Sequence, residues 1–172
     1  MPHLTDDDLY YWNEGTHAHS YERMGAHPNQ QGTWFAVWAP NADRVEVTGD
    51  FNNWTPGNDV LERREGGLWE GYVRGAAPGH KYKYHLHADG EWVDRTDPYA
   101  FQMEAPSPNT YEGLSSIITD LDTYTWGDDD WMGTRPGPEG LDGPLSIYEV
   151  HLGSWRHKGH GESLSYREVA EP

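Results

Sequence analysis

The stretch HKYKYHLHADGEWVD, from His80 to Asp94, limits the possible folds more than any other. Its residue types alternate strictly. Tyr82, Tyr84 and Leu86 fall on one face of a strand, and Lys81, Lys83, His85 and His87 on the other. Asp89-Gly90 follows, a pair suited to a two-residue turn because a type I′ turn needs positive φ at both central positions. The stretch therefore predicts an antiparallel hairpin with one apolar and one polar face, its return strand carrying Trp92.

The neighbouring segments agree with this reading. TWFAVWAP separates Trp34, Ala36 and Trp38 from Phe35, Val37 and Ala39, and Pro40 ends the run. DRVEVTGDF places Val45 and Val47 inward and Glu46 and Thr48 outward; GGLWEGYVRG reads as a third strand. DDDLYYWNEG predicts one short helix. Short strands divided by Gly, Pro, Asn and Asp, with no long helical period, predict an antiparallel β-sandwich over residues 1–118. Residues 119–144 are rich in Asp, Gly and Pro and predict an irregular connection. In residues 145–172, LSIYEVHL has the continuous apolar character of a strand buried on both faces. Ser165 and Glu168 then form the S-x-x-E pattern of a helix start. This tail is expected to be β then α, with the chain ending inside the helix.

Acidic residues outnumber basic ones 29 to 12, a formal charge of −17. Such a surface repels phosphate backbones and anionic lipids, so nucleic acid and membrane are poor partners and uncharged sugars good ones. No cysteine is present, which rules out disulfides and thiolate metal sites. No apolar run approaches the roughly 18 residues of a membrane span, and the N-terminus is not patterned as a secretory signal. Nine Trp and eleven Tyr exceed what a small core needs, so some rings are expected to face solvent or a ligand.

Trp54 sits in GDFNNWTPG between a strand and a Pro-Gly turn. Its ring is placed either to stack on a pyranose or to cover the sandwich edge. Asn52 and Asn53 either bond sugar hydroxyls or bond their own backbone. Trp92 carries the same two readings, and Lys83 alone reads as a solvated lysine. Together, two Trp and a Lys on neighbouring strands would form a polar-rimmed sugar platform. The His17/His19 and His85/His87 pairs lack a third ligand at telling spacing, so no metal site is expected. Asp6–Asp8 and Asp128–Asp130 fit no calcium loop and read as solvated acidic runs. No residue pattern identifies a catalytic group.

GTHAHSYERMGAHP, TWFAVWAPNADRVEVTGDFNNW, GLWEGYV, HKYKYHL, DPYAF and SIYEVHLGSWR occur in this order. Together they resemble the N-terminal part of bacterial 1,4-α-glucan (glycogen) branching enzymes, from about Glu14 to the last residue. The centre alone resembles family-48 carbohydrate-binding modules, which also precede debranching and trehalose-forming enzymes. The resemblance implies an immunoglobulin-like sandwich module at 1–118, a linker at 119–144, and at 145–172 the first β-α piece of a truncated glycoside hydrolase family-13 type (β/α)8 barrel. It implies an enzyme that cuts α-1,4 glucan and rejoins it through α-1,6 linkages by a retaining mechanism, without metal or organic cofactor, in the cytoplasm. Its implied partners are α-1,4-glucan and the protein's own missing barrel. A barrel of that type needs about 250 residues, so its catalytic carboxylates are expected to lie outside these 172 residues. The chain alone would then bind or orient glucan without catalysing. In the resemblance, Trp54, Lys83 and Trp92 match the module family's sugar platform, Asn53 stands beside them, and further polar contacts fall near TYEGLSSII. The alternatives are a stand-alone glycan-binding module, the N-terminal part of a related debranching or trehalose-forming enzyme, or a scaffold with no sugar site.

Overall fold

A computed structural model describes residues 4–106, 113–135, 137, 143–144 and 146–171. The chain divides into two compact units, one ending at Tyr124 and one starting at Thr125.

In the first unit, helix α1 (Asp6–Glu14) is followed by β1 (Gly25–Asn29), β2 (Gly32–Trp38), β3 (Arg44–Gly49), β4 (Glu62–Arg63), β5 (Leu68–Arg74), β6 (Lys81–Ala88), β7 (Glu91–Arg95), β8 (Gln102–Met103) and β9 (Ser116–Ile117). One antiparallel sheet runs β1-β2-β5-β4. In the other, β6 pairs with β3 along one edge; the opposite edge is shared between β7 at Tyr84–Ala88 and β9 at Lys81–Tyr82. Asp89 and Gly90 have φ of 52° and 80°, and Ala88 faces Glu91, which is the expected hairpin.

Alternation places the core. Phe35 and Val37 of β2 meet Val45 and Val47 of β3 and Tyr82 and Tyr84 of β6, all buried. Each such side chain contributes about 2 kcal/mol by leaving water. The tyrosine hydroxyls cannot enter an apolar core unpaired, and Asp97 answers them. Its Oδ2 accepts the Tyr82 hydroxyl at 2.5 Å and lies 3.3 Å from the Tyr84 hydroxyl, which also reaches the Ala36 carbonyl of the facing sheet at 3.1 Å. Asp97 Oδ1 accepts the Tyr99 N–H, and the Asp97 N–H donates to Ser116 Oγ. Burial raises the Asp97 carboxyl above its ordinary value, against the opposing effect of these bonds. Gly25 (φ 94°) passes so close that an added Cβ would lie 3.1 Å from Tyr99 Cβ and 3.5 Å from Asp97 Oδ2.

A second apolar cluster of Leu4, Leu9, Met24, Ala36 and Leu68 packs α1 on the outer face of the first sheet. Asp8 fastens this layer. With Thr5 it forms a capping box, and its carboxylate also meets His17 Nε2 at 2.9 Å and Arg23 Nε at 3.2 Å. Burial would raise its pKa, but the Thr5 bonds, His17 and Arg23 prevail and hold it at about 2. His17 is therefore an anchor, and its neighbour His19 lies instead against Glu22 and Tyr21.

Four expectations are corrected. Asp6–Asp8 is not wholly a solvated acidic run, since Asp8 is buried and paired with Thr5, His17 and Arg23. Glu46 and Thr48 do point away from the core, yet both are buried, and the chain after β3 turns back to pair along that strand beside Glu46. Asp59 and Leu61 bond Val47 and Val45, and Glu46 accepts the Gly57 N–H at 2.6 Å and Arg44 Nε. In the second unit the connection is not wholly irregular, since Asp129–Thr134 forms α2. The expected strand at 145–152 is absent among the described residues: 146–151 has no regular structure and Leu152–Trp155 is the short helix α3. Within its own unit, a strand of that composition has no second strand among the described residues to share its hydrogen bonds. The predicted cap is present. Ser165 and Glu168 form the capping box of α4 (Tyr166–Ala170).

Two outcomes follow. Asp97→Ala takes the acceptor from the Tyr82 hydroxyl and the Tyr99 N–H and should lower stability by roughly 3 kcal/mol in urea unfolding, since each stranded buried group costs about 1–3. Asp8 has a folded pKa below its unfolded value of 3.8, so its stabilisation is present above about pH 4 and lost as pH falls towards 2. Asp8→Asn should flatten the pH dependence of the unfolding midpoint across that window.

Candidate functional site

The outer face of β3-β6-β7 is set by the core beneath it. Because Tyr82 and Tyr84 point inward, Lys83 between them must point outward, with His85 and His87 following at alternate positions. Trp92 faces His87 and Asp94 faces His85 across the hairpin, so both join the same face.

Trp54 reaches the surface by a different device. Asn53 and Trp54 both adopt left-handed backbone conformations, φ 52° and 58°. This conformation costs an L-residue about 1–2 kcal/mol, and two in succession are held only by surrounding bonds. The Trp54 N–H donates to the Gly49 carbonyl at 2.9 Å, and its indole Nε1 donates to Asp50 Oδ1 at 3.0 Å. The other oxygen of Asp50 accepts the Lys81 N–H at 2.8 Å, which ties the loop to β6. Asn52 pins the loop from within. It donates to the Val47 carbonyl and Asp59 Oδ2 and accepts the Gly49 N–H. Of the two Asn readings, Asn52 thus bonds its own loop, while Asn53 is exposed beside Trp54.

Sequence spacing did not show how far apart these groups stand. Lys83 and His87, the residue facing Trp92, are four positions apart on β6, about 14 Å at roughly 3.4 Å per residue. His85 fills the interval. Its ring lies parallel to that of Trp92, centroids 4.4 Å apart at 8°, and its Nδ1 meets Asp94 Oδ1 at 2.6 Å. The structure therefore joins Trp92 to His85 and Asp94. Lys83 instead lines a shallow groove of about 360 Å³ with Asp94, Arg95, Thr96, Met103, Gly113 and Leu114, and its Nζ donates to the Gly113 carbonyl at 3.3 Å. Of the TYEGLSSII stretch, residues 110–112 lie outside the described residues, whereas Gly113 and Leu114 border this groove. His85 was a missed participant; its place opposite Asp94 was legible once the Asp-Gly turn set the register.

Chemically, Trp54 beside the start of β6 and Trp92 at the far end of the hairpin each present a π-surface about two-fifths exposed. The C–H bonds on the flat side of a pyranose are electropositive and match the negative face of an aromatic ring. Among the described residues no group of His, Asp and Glu could hold a metal ion. No helix among them is long and apolar enough to cross a membrane.

Asp50→Ala removes the acceptor that aims the Trp54 indole. The Trp54 indole N–H resonance should move and exchange faster with solvent, while that of Trp92 stays in place; two unchanged resonances would show that Asp50 does not orient the ring.

Residues 23–100 match the family "Carbohydrate-binding module 48 (Isoamylase N-terminal domain)". Over its whole length the chain is similar to the N-terminal part of bacterial 1,4-alpha-glucan branching enzymes. It is 83% identical to that of Salinibacter ruber, covering all of this chain and 28% of the relative. It is 47% identical to that of Rhodospirillum rubrum, covering 99% and 23%. The chain thus spans about a quarter of the length of the curated relatives it matches. Among solved structures, a pullulanase from an Anoxybacillus species complexed with maltotetraose shares the fold at a TM-score of 0.50 and 21% identity, over 76% of this chain and 16% of that one.

Proposed function

From residues 23–100 that belong with the family-48 carbohydrate-binding modules, within a chain similar throughout to the front of branching enzymes, we propose that this protein presents α-glucan to glycogen-branching chemistry. The whole enzyme would cleave an α-1,4 linkage and rejoin the released chain through an α-1,6 linkage, with retention at the anomeric carbon. The proposal includes the bacterial cytoplasm as its location, α-glucan as its partner and chemistry without a metal.

The observation that carries the reading is the strained, clamped Trp54, whose loop is tied to the start of β6, the strand that also bears Lys83. Backbone strain held in place by several bonds is retained where the position of a side chain matters. Trp54 and Trp92 stack on sugar rings, Lys83 bonds hydroxyls from the groove it lines, and Asn53 contributes an exposed amide beside Trp54. His85 braces the Trp92 ring and so keeps it flat to the ligand. The immunoglobulin-like order of the strands and the role of residues 145–172 as the opening of a (β/α)8 barrel are part of the same proposal. The tail supports it through composition: Ile147, Tyr148, Val150 and Trp155 are exposed here, as expected of residues meant for a larger core.

In native gels containing glycogen the chain should be retarded, and Trp54→Ala/Trp92→Ala should run close to its mobility without glycogen. Equal retardation of the variant would favour a scaffold over a platform. The chain alone should leave the iodine stain of amylose unchanged.

A further inference from the structure

The opposite side of the sandwich carries a second arrangement of rings and amides. On the outer face of the β1-β2-β5 sheet, Trp34 of β2 pairs with Tyr72 of β5, ring centroids 5.2 Å apart at 50°. His27 of β1 faces Trp34 on its other side and meets Phe101 at 6.1 Å. Three rings thus stand on adjacent strands, with Phe101 beside the outermost. Beside the Trp34–Tyr72 pair opens a groove of about 450 Å³ lined by Asn29, Gln30, Gln31, Trp34 and Tyr72.

Two properties of this groove point to its ligand. None of its lining side chains is charged, in a chain with 41 charged residues (12 basic and 29 acidic). An ionic ligand would find no counter-charge there. Its polar groups are amides, and one is fixed in place. Asn29 Oδ1 accepts the Tyr72 hydroxyl at 2.8 Å, the Gln31 N–H at 2.9 Å and the Gly32 N–H at 3.2 Å. With Oδ1 so engaged, Asn29 offers its Nδ2 donors, and Gln30 adds an exposed amide. Aromatic faces beside fixed, uncharged donors and acceptors match a neutral polyhydroxylated ring.

We propose that Trp34 and Tyr72, with Asn29, Gln30 and Gln31, form a second glycan-binding site that takes a neutral α-glucan chain. Only the choice of an α-glucan rests on the function proposed above; the site itself rests on its own geometry. Two sites on opposite faces would let one chain engage two glucan branches, and avidity on a branched polymer would exceed either affinity alone.

The test follows the indole N–H resonances of the nine Trp during titration with maltoheptaose, assigned through single Trp→Phe variants. The Trp34 resonance should shift with increasing sugar, and should still shift in Trp54→Ala/Trp92→Ala. Tyr72→Ala and the surface variant Gln30→Ala/Gln31→Ala should each weaken that response without altering the rest of the spectrum. Shifts at Trp54 and Trp92 with none at Trp34 would overturn this site and leave the other platform standing. Shifts at Trp34 alone would do the reverse, and none at all would overturn both. A Trp34 shift produced by raising protein concentration without sugar would make this face a contact between copies and sink the proposal.

Discussion

The sandwich depends on one buried carboxylate. A β-strand with Tyr at two inward positions brings two hydroxyls into a core that supplies no water. Asp97 supplies the acceptor, and Tyr84 also reaches the Ala36 carbonyl in the facing sheet. The same residue takes the Tyr99 N–H and binds Ser116 of β9, so strands distant in sequence close around it. A buried carboxylate without such partners would be among the costliest features of a small domain. With them, it fixes which residues of β6 face inward, and therefore that Lys83, His85 and His87 face outward.

The candidate site is built from two kinds of constraint placed on that base. One is regular: the Asp-Gly turn sets the register that puts Trp92 opposite His87 and Asp94 opposite His85. The other is irregular: two left-handed residues lift Trp54 out of its loop, and Asp50 ties both the indole and the start of β6. The length of the hairpin then decides the spacing. With four strand positions between Lys83 and the residue facing Trp92, a histidine ring occupies the gap and stacks on Trp92. The face is accordingly longer and more aromatic than a cluster of two Trp and one Lys.

Much of this was legible before any coordinates. The alternation in HKYKYHLH, the Asp-Gly turn, the short α1 and the Ser165–Glu168 cap are local patterns whose physics acts within a few residues. The burial of Glu46 was not legible, because residues 57–61 return alongside β3 and the Gly57 N–H meets its carboxylate. The role of His17 was hidden for the same reason: its partner Asp8 belongs to a helix earlier in the chain, and an i, i+2 histidine pair carries no sign of it. The apolar run at 146–152 shows the converse. Composition suits it to a buried strand, but a strand needs neighbours to bond, and the second unit has none among its described residues.

Sequence by itself determined the class of fold and narrowed the classes of partner to consider. Alternating strands joined by Gly, Pro, Asn and Asp turns can bury one face each only by pairing two sheets, and a charge of −17 with surplus aromatic rings favours a neutral, stackable partner. Tertiary structure decided which rings stand together. Trp34 and Tyr72 are 38 residues apart in the chain, yet β2 and β5 place them side by side on the face opposite Trp92. Such proximity is set by sheet order and register, which arise from long-range burial and hydrogen bonding and leave no mark on the spacing of the residues themselves.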